Sequence, residues 1–291
     1  MRRIALCVAA LAAGALIGGC GSGNGDGDAT AATDGSLKRV KGAGKLTVCT
    51  SNDVPYAYRD PKSKALTGTD IEMVRAIGGR LGVKAVEMYE VPISGIISAL
   101  KTGRCDLISD NIAINQERSK QISFSAPMYR AGQALVVPRG NPAGITSEKD
   151  FPGHTVGSYL GTIQLEYLQA LAKKDSSIMV KSYKNIPEIL ADLRAGRLDA
   201  AAFDDMVASY SLKTNPDLPI EIINYKLPIG DYDVGAGFRT DDDALRHAFN
   251  DGVRELQRSG ALNTILAKWG MTPLERYWPF PNCCPVEDGP A

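Results

Sequence analysis

One pattern occurs twice in this chain, and it restricts the fold more than any other feature. Leu100-Lys101-Thr102-Gly103-Arg104-Cys105-Asp106-Leu107 is matched by Leu193-Arg194-Ala195-Gly196-Arg197-Leu198-Asp199-Ala200. In each copy an amphipathic run ends at a glycine, which can take the left-handed backbone of a helix C-cap. Arginine, one further residue, aspartate and a short apolar run follow. Each run ends in polar residues, Ser109-Asp110-Asn111 in the first copy and Asp204-Asp205 in the second. A weaker echo pairs LTVCTSND (46–53) with HTVGSYLGT (154–162). Two similar α/β units explain both echoes; coincidence of a common helix-stop pattern is the alternative.

The periodicity around the echoes alternates strand and helix. LTVCTS (46–51) is short, apolar and β-branched; TGTDIEMVRAIGGRLG (67–82) carries Ile71, Val74, Ile77 and Leu81 at helical spacing, with Asp70 as candidate N-cap and Gly82 as stop. AVEMYEV (85–91) reads as a strand, ISGIISALKTG (93–103) as a helix and CDLIS (105–109) as the next strand. Such alternation predicts an α/β fold with mostly parallel sheets flanked by helices, here in two lobes. Ligands of open α/β sheets sit beyond the C-terminal strand ends. The cleft walls are therefore expected to carry Ser51, Asn52, Asp53, Asp110 and Asn111 on one side and Thr162, Gln164 and Asp204 on the other.

The N-terminus predicts export. Arg2 and Arg3 precede an uncharged, mostly apolar run that ends Leu16-Ile17-Gly18-Gly19-Cys20. The run is short and glycine-rich for a membrane span and reads as a signal peptide, 1–19. Small residues before Cys20 resemble a bacterial lipobox, which implies lipidation of Cys20 and attachment to the outer side of the cell membrane. An ordinary signal with an incidental cysteine is the alternative. Residues 20–36 hold no large apolar side chain and read as a flexible tether. The chain has 33 basic and 33 acidic residues, and loss of Arg2 and Arg3 leaves a net charge of about −2. With no basic run interleaved with aromatics, nucleic acid is not an expected partner.

Cys7 leaves with the signal, so Cys49, Cys105, Cys283 and Cys284 remain in the folded part. Four cysteines allow three full pairings, and an extracytoplasmic location permits them. Cys49, inside an apolar strand, reads as a small buried thiol; Cys105 is expected to join one of Cys283 and Cys284.

Six ordered segments carry a family resemblance: LTVCTSNDVPYAY, LTGTDIEMVRAIGGRLGV, LKTGRCDLISDNIAINQERSKQISFSAPMY, HTVGSYLGT, LRAGRLDAAAFDD and RSGALNTILAKWG. Over about 45–271 the chain resembles the bacterial extracellular solute-binding proteins of family 3, which feed polar amino acids to ABC importers. The resemblance implies a periplasmic-binding-protein-like fold (type II). Its lobes would be 37–130 plus 233–282 and 131–232, joined by a hinge near Arg130-Ala131 and Asp233, with a C-terminal tail 283–291. It also implies a monomer that works with a permease and its cytoplasmic ATPase.

Arg118 matches the family arginine that grips the ligand α-carboxylate, a role that suits its planar fork of donors. Asp204 matches the acid that pairs the α-ammonium; an N-cap for the following helix is the local alternative, and one carboxylate can do both. Gly161-Thr162-Ile163-Gln164 matches the loop that opens a helix toward an anion, and Thr162 as a simple cap is the alternative. Departures fall where amino-acid binders carry small hydroxyls: here stand Asp110, Asn111 and Ala113. The stacking aromatic is not obvious, with Tyr56 and Tyr159 as substitutes. Asp53 and Asp110 add negative charge, which points to an amino-acid-like ligand with an extra positive group. The alternative is that Asp110 only bonds local backbone amides.

Enzyme signals are thin. His154 and His247 are the only histidines and stand in no metal or triad motif; GxSxG, CxxC and the Walker loop are missing from the sequence. No cofactor or metal is expected. Two other readings stay open: a cyclohexadienyl-dehydratase-like enzyme on the same fold, with Asp110 or Asp204 as acid or base, and a solute sensor that signals through a partner.

Overall fold

The computed structural model describes residues 34–272 and Tyr277. Signal peptide, Cys20, Cys283, Cys284 and the tail lie outside the described residues. In chain order the first part comprises α1 (Ser36–Ala43), β1 (Lys45–Thr50), the hairpin β2 (Tyr58–Arg59) and β3 (Leu66–Thr67), α2 (Thr69–Arg80), β4 (Ala85–Glu90), α3 (Ile96–Lys101), β5 (Leu107–Ile108), α4 (Gln116–Ser119) and β6 (Ser123–Phe124). After β7 (Tyr129–Ala131) come β8 (Gln133–Pro138), β9 (Thr155–Tyr159), α5 (Ile163–Lys174), β10 (Met179–Tyr183), α6 (Ile186–Arg194), β11 (Ala200–Asp204), α7 (Asp205–Thr214) and β12 (Ile220–Ile223). The chain returns through β13 (Tyr232–Val234) to β14 (Gly237–Phe238), α8 (Asp243–Arg258) and α9 (Ala261–Lys268).

Two five-stranded sheets result, ordered β4-β1-β5-β14-β6 and β10-β9-β11-β8-β12. The echo is visible in their centres. Val48 pairs with Leu107 in parallel in one sheet, and Val156 pairs with Ala200 in the other. Gly103 and Gly196 take the left-handed backbone, with φ 73° and 64°. The two echoed aspartates do one job: Asp106 accepts the Thr47 amide at 2.9 Å, and Asp199 accepts the Thr155 amide at 2.8 Å. Each ties the start of a parallel strand to its neighbour, so the repeated motif is a local device for registering two strands.

Both crossings between the sheets run through β7 and β13. These pair antiparallel as Tyr129↔Val234, Arg130↔Asp233 and Tyr232↔Ala131, and Arg130 donates to Asp233 at 2.8 Å. Away from this ribbon, Tyr58 of β2 meets Tyr210 of α7 hydroxyl to hydroxyl at 3.4 Å, and Trp269 abuts both rings.

Three local expectations need correction. Cys105 is bonded to Cys49, not to Cys283 or Cys284, and Cys49 is therefore no free thiol. The parallel pairing of β1 with β5 brings these two residues together, with Cα atoms 5.5 Å apart, inside the bridging range. Asp70 does not cap α2. Gly68 holds the cap position, and the fully buried Asp70 carboxylate accepts from Ser109 Oγ, the Asn111 amide and Tyr129 Oη. Finally, the folded body begins before residue 37: Asp34 accepts from the Ser36 and Ala244 amides, and Ser36 opens α1.

Candidate functional site

Parallel strand order places the ends of β1, β5, β9 and β11 on a shared cleft. On the first sheet, Asp110 follows β5 and is fixed to the end of β1, accepting from Thr50 Oγ1 at 2.6 Å, the Ser51 amide at 2.8 Å and Ser51 Oγ at 2.6 Å. Asn111 adopts φ 50°; its amide donates to Asp70 and its Nδ2 donates to Tyr232 Oη at 2.9 Å. Asn115 caps α4 by accepting the Arg118 amide, which aims the Arg118 side chain back at the cleft. Its guanidinium donates to Ala113 O at 3.1 Å and, across the cleft, to Gly161 O at 3.0 Å.

On the second sheet, Thr162 caps α5, accepting the Leu165 amide at 3.2 Å. The first amides of a helix lack intrahelical partners and carry partial positive charge, so this end of α5 favours an anion beside Arg118. Gln164 lines the cleft while its Nε2 donates to Gln133 Oε1 at 2.9 Å. Asp204 ends β11 and caps α7 through the Val207 amide at 2.9 Å. The same Oδ1 accepts Tyr56 Oη from the first sheet at 2.7 Å, and the buried Oδ2 has no partner among the described residues.

The cavity wall contains Asp53, Asp110, Asn111, Ala113, Arg118, Thr162 and Gln164, all expected there. Ser51, Tyr56 and Asp204 stand behind that wall. Ser51 is committed to Asp110. Tyr56 is not a stacking surface for a ligand: it is fully buried, lies parallel to Tyr129 with ring centres 6.0 Å apart, and works through its hydroxyl on Asp204. Four more residues complete the wall: Ile93, Tyr159, Ile163 and Tyr232. Ile93 follows β4, so the strand-end rule points to it, whereas the helix expected over 93–103 includes it as an ordinary helical residue. For Tyr159 the sequence suggests only a stacking ring. Ile163 belongs to the helix start that the sequence predicts. Tyr232 gives no local signal, because only the pairing of β13 with β7 brings it to the cleft.

Charge of both signs meets at the cavity. Its wall carries Arg118 and the start of α5, and also two carboxyls, Asp53 and Asp110, with a third, Asp204, behind it. Burial, then the charges of Asp110 and Asp204, raise Asp53 well above the usual carboxylate range. Burial raises Asp110 to about 6 and Asp204 to about 7 against their hydrogen bonds. A carboxyl with a higher pKa folded than unfolded holds more protons in the native state between the two values, so the stability it contributes falls as pH rises through that window. The ligand-free protein is therefore expected to melt at a higher temperature at pH 5 than at pH 8. A cationic ligand prefers the ionised carboxyls, so the stabilisation it gives should grow from pH 5 to pH 8. Thermal melts at constant ionic strength check both slopes, and a ligand-free midpoint that rises with pH would contradict the assignment of these groups. Among the described residues no cluster of three or more potential metal ligands occurs, and no helix is long and apolar enough to cross a membrane.

Comparison with known proteins agrees with this layout. The sequence model of the bacterial extracellular solute-binding proteins, family 3, matches residues 46–272. The L-cystine-binding protein TcyJ of Escherichia coli (strain K12) is 30% identical over 240 residues, 82% of this chain and 87% of that protein. The arginine-binding extracellular protein ArtP of Bacillus subtilis (strain 168) is 30% identical over 229 residues, 78% of this chain and 87% of that one. Among solved structures, an ancestral arginine-binding protein bound to arginine superposes with a TM-score of 0.71 at 34% identity, covering 78% of this chain and 98% of that chain.

Proposed function

Because the chain belongs to the bacterial extracellular solute-binding proteins, family 3, we propose that it captures a cationic amino acid outside the cytoplasm and passes it to the permease of an ABC importer. The observation that carries the ligand class is the balance of charge at the cavity. Arg118 and the start of α5 suit an α-carboxylate, whereas Asp53 and Asp110 in the wall, with Asp204 close behind it, offer more negative charge than one α-ammonium needs. A second positive group, as in arginine, lysine or ornithine, offsets the burial and the carboxyl repulsion that together raise Asp53. The arginine-binding relative and the arginine-bound structure support this choice; the L-cystine-binding relative makes cystine the competitor to include.

In this reading the two sheets form lobes, 34–130 with 233–272 and 131–232, that close over the ligand about the β7–β13 ribbon. The shut form is what the permease recognises, and its cytoplasmic ATPase drives uptake. The binding protein acts as a monomer held on the extracytoplasmic side of the cell membrane by lipid on Cys20, with the residues after it as tether. The Cys49–Cys105 disulfide suits an oxidising compartment. Turnover of a cyclic acid has less support, since the relatives above are named for binding.

Titration calorimetry with arginine, lysine, ornithine, histidine, cystine, glutamate and leucine tests the ligand class. Arginine, lysine or ornithine is expected to bind at least 100-fold more tightly than leucine, the roughly 3 kcal/mol that one desolvated charge pair supplies. Tight binding of glutamate or leucine with none of the three basic amino acids would sink it.

A further inference from the structure

We propose that Gly161 is a positioning residue that sets how far the cleft can shut, and that Arg118 is engaged across the cleft only because position 161 lacks a side chain. The proposal rests on the solute-binding reading above. Gly161 follows β9 on the second sheet and adopts φ +89°. A Cβ at this position would stand 2.7 Å from the backbone nitrogen of Ser94 and 2.9 Å from its Cα. Ser94 belongs to the turn Ile93–Gly95 after β4, on the first sheet. Both obstructing atoms are backbone, so no rotamer change can clear them. The two walls therefore meet backbone against backbone.

The same residue holds the bond that reports the meeting. Gly161 O accepts Arg118 Nη2 at 3.0 Å, while Arg118 Nη1 stays on Ala113 O of its own sheet at 3.1 Å. One guanidinium thus spans the walls. An ordinary contact for a Cβ begins at 3.4 Å, so any L-residue at 161 would hold the walls apart by roughly 0.7 Å or more. That shift stretches the Arg118–Gly161 bond beyond useful length. The guanidinium would then grip a ligand carboxylate from one wall without registering the other.

Backbone strain and steric obstruction can be separated within this protein. Gly153, also on the second sheet's side of the chain, has φ +81° and nothing within 4 Å of a would-be Cβ. Gly153→Ala pays the strain of a positive φ and nothing else, whereas Gly161→Ala adds the clash. The experiment compares both variants with the wild type by calorimetry and by small-angle X-ray scattering with and without L-arginine, or the tightest-binding amino acid of the panel. The expected result is an affinity at least tenfold weaker for Gly161→Ala, with most of the ligand-induced decrease in radius of gyration lost. Gly153→Ala should keep both properties, and the ligand-free melting points of the two variants should match. Should Gly161→Ala fold poorly, Gly161→Asn carries the same Cβ with better tolerance of positive φ. Wild-type affinity and compaction in the Gly161 variants, or equal losses in Gly153→Ala, overturn the proposal alone. A wild type that binds no amino acid and does not compact overturns the solute-binding reading, and this proposal with it.

Discussion

Arg118→Ala is expected to weaken amino-acid binding by about 2–5 kcal/mol, because a buried ligand carboxylate would lose the partner that pairs its charge. The structure gives the side chain no carboxylate partner of its own among the described residues: its donors go to Ala113 O and Gly161 O. Burial draws its pKa below the usual arginine value and outweighs the nearby Glu166 charge, the direction expected of a cation held away from water. An exposed arginine in a merely structural role would change affinity by less than about 0.5 kcal/mol, so the two readings differ by a factor that calorimetry resolves easily. Arg118→Lys should fall between wild type and alanine. It keeps the charge, but a single ammonium cannot hold two carbonyls on opposite walls and a carboxylate in one plane. An affinity unchanged by Arg118→Ala would remove this residue from the carboxylate end of the site.

The second large effect concerns stability. Replacing Cys49 and Cys105 together by alanine is expected to destabilise the protein by about 4 kcal/mol on the chain-entropy account, since the bond closes a loop with a sequence separation of 56. For a chain of this size the midpoint should fall by about 8–16 °C. Thermal melts of the wild type with and without reductant, beside the double variant, measure it, and peptide mapping of the oxidised protein reads the pairing directly. A midpoint unmoved by both treatments would mean that the bond contributes nothing. Position adds a second consequence. Cys49 adjoins Thr50, and Thr50 and Ser51 hold Asp110. The crosslink thus joins the two strands whose ends build one wall of the cavity, and the double variant should also bind its ligand more weakly near its melting point.

Much of this arrangement was legible in the sequence wherever it depends on local chemistry. The repeated Gly-Arg-x-Asp turn pointed to two similar sheets because glycine, aspartate and an apolar run each have a local conformational reason to stand where they do. Strand ends then located Asp53, Asp110, Asn111 and Thr162 on the cavity. What could not be read depends on pairing across the chain. Cys49 meets Cys105 only because β1 and β5 are adjacent, and spacing alone left that pairing open. Asp70 looked like a helix cap; it is instead a buried acceptor for three donors, from Ser109, Asn111 and Tyr129, that lie 39, 41 and 59 residues away. Tyr56 is one of two substitutes for a stacking aromatic in the sequence, yet its ring packs on Tyr129 and its hydroxyl reaches Asp204 from the other sheet. In each case a residue of familiar local type takes a role set by a distant partner.

The paired ribbon of β7 and β13 carries a further consequence. Two covalent crossings that were independent would let the sheets translate, shear and rotate relative to one another. Here the crossings are bonded to each other over three consecutive residue pairs and by Arg130 on Asp233. Sliding one strand along the other would break the ladder, so the low-cost displacements that remain are bending and twisting of a single short ribbon. The separation between Arg118 and Asp204 then becomes nearly a function of one angle. On the reading proposed above, a solute would be gauged the way calipers gauge a rod, its length between charged ends read out as that angle, with the meeting of Gly161 and Ser94 as the stop.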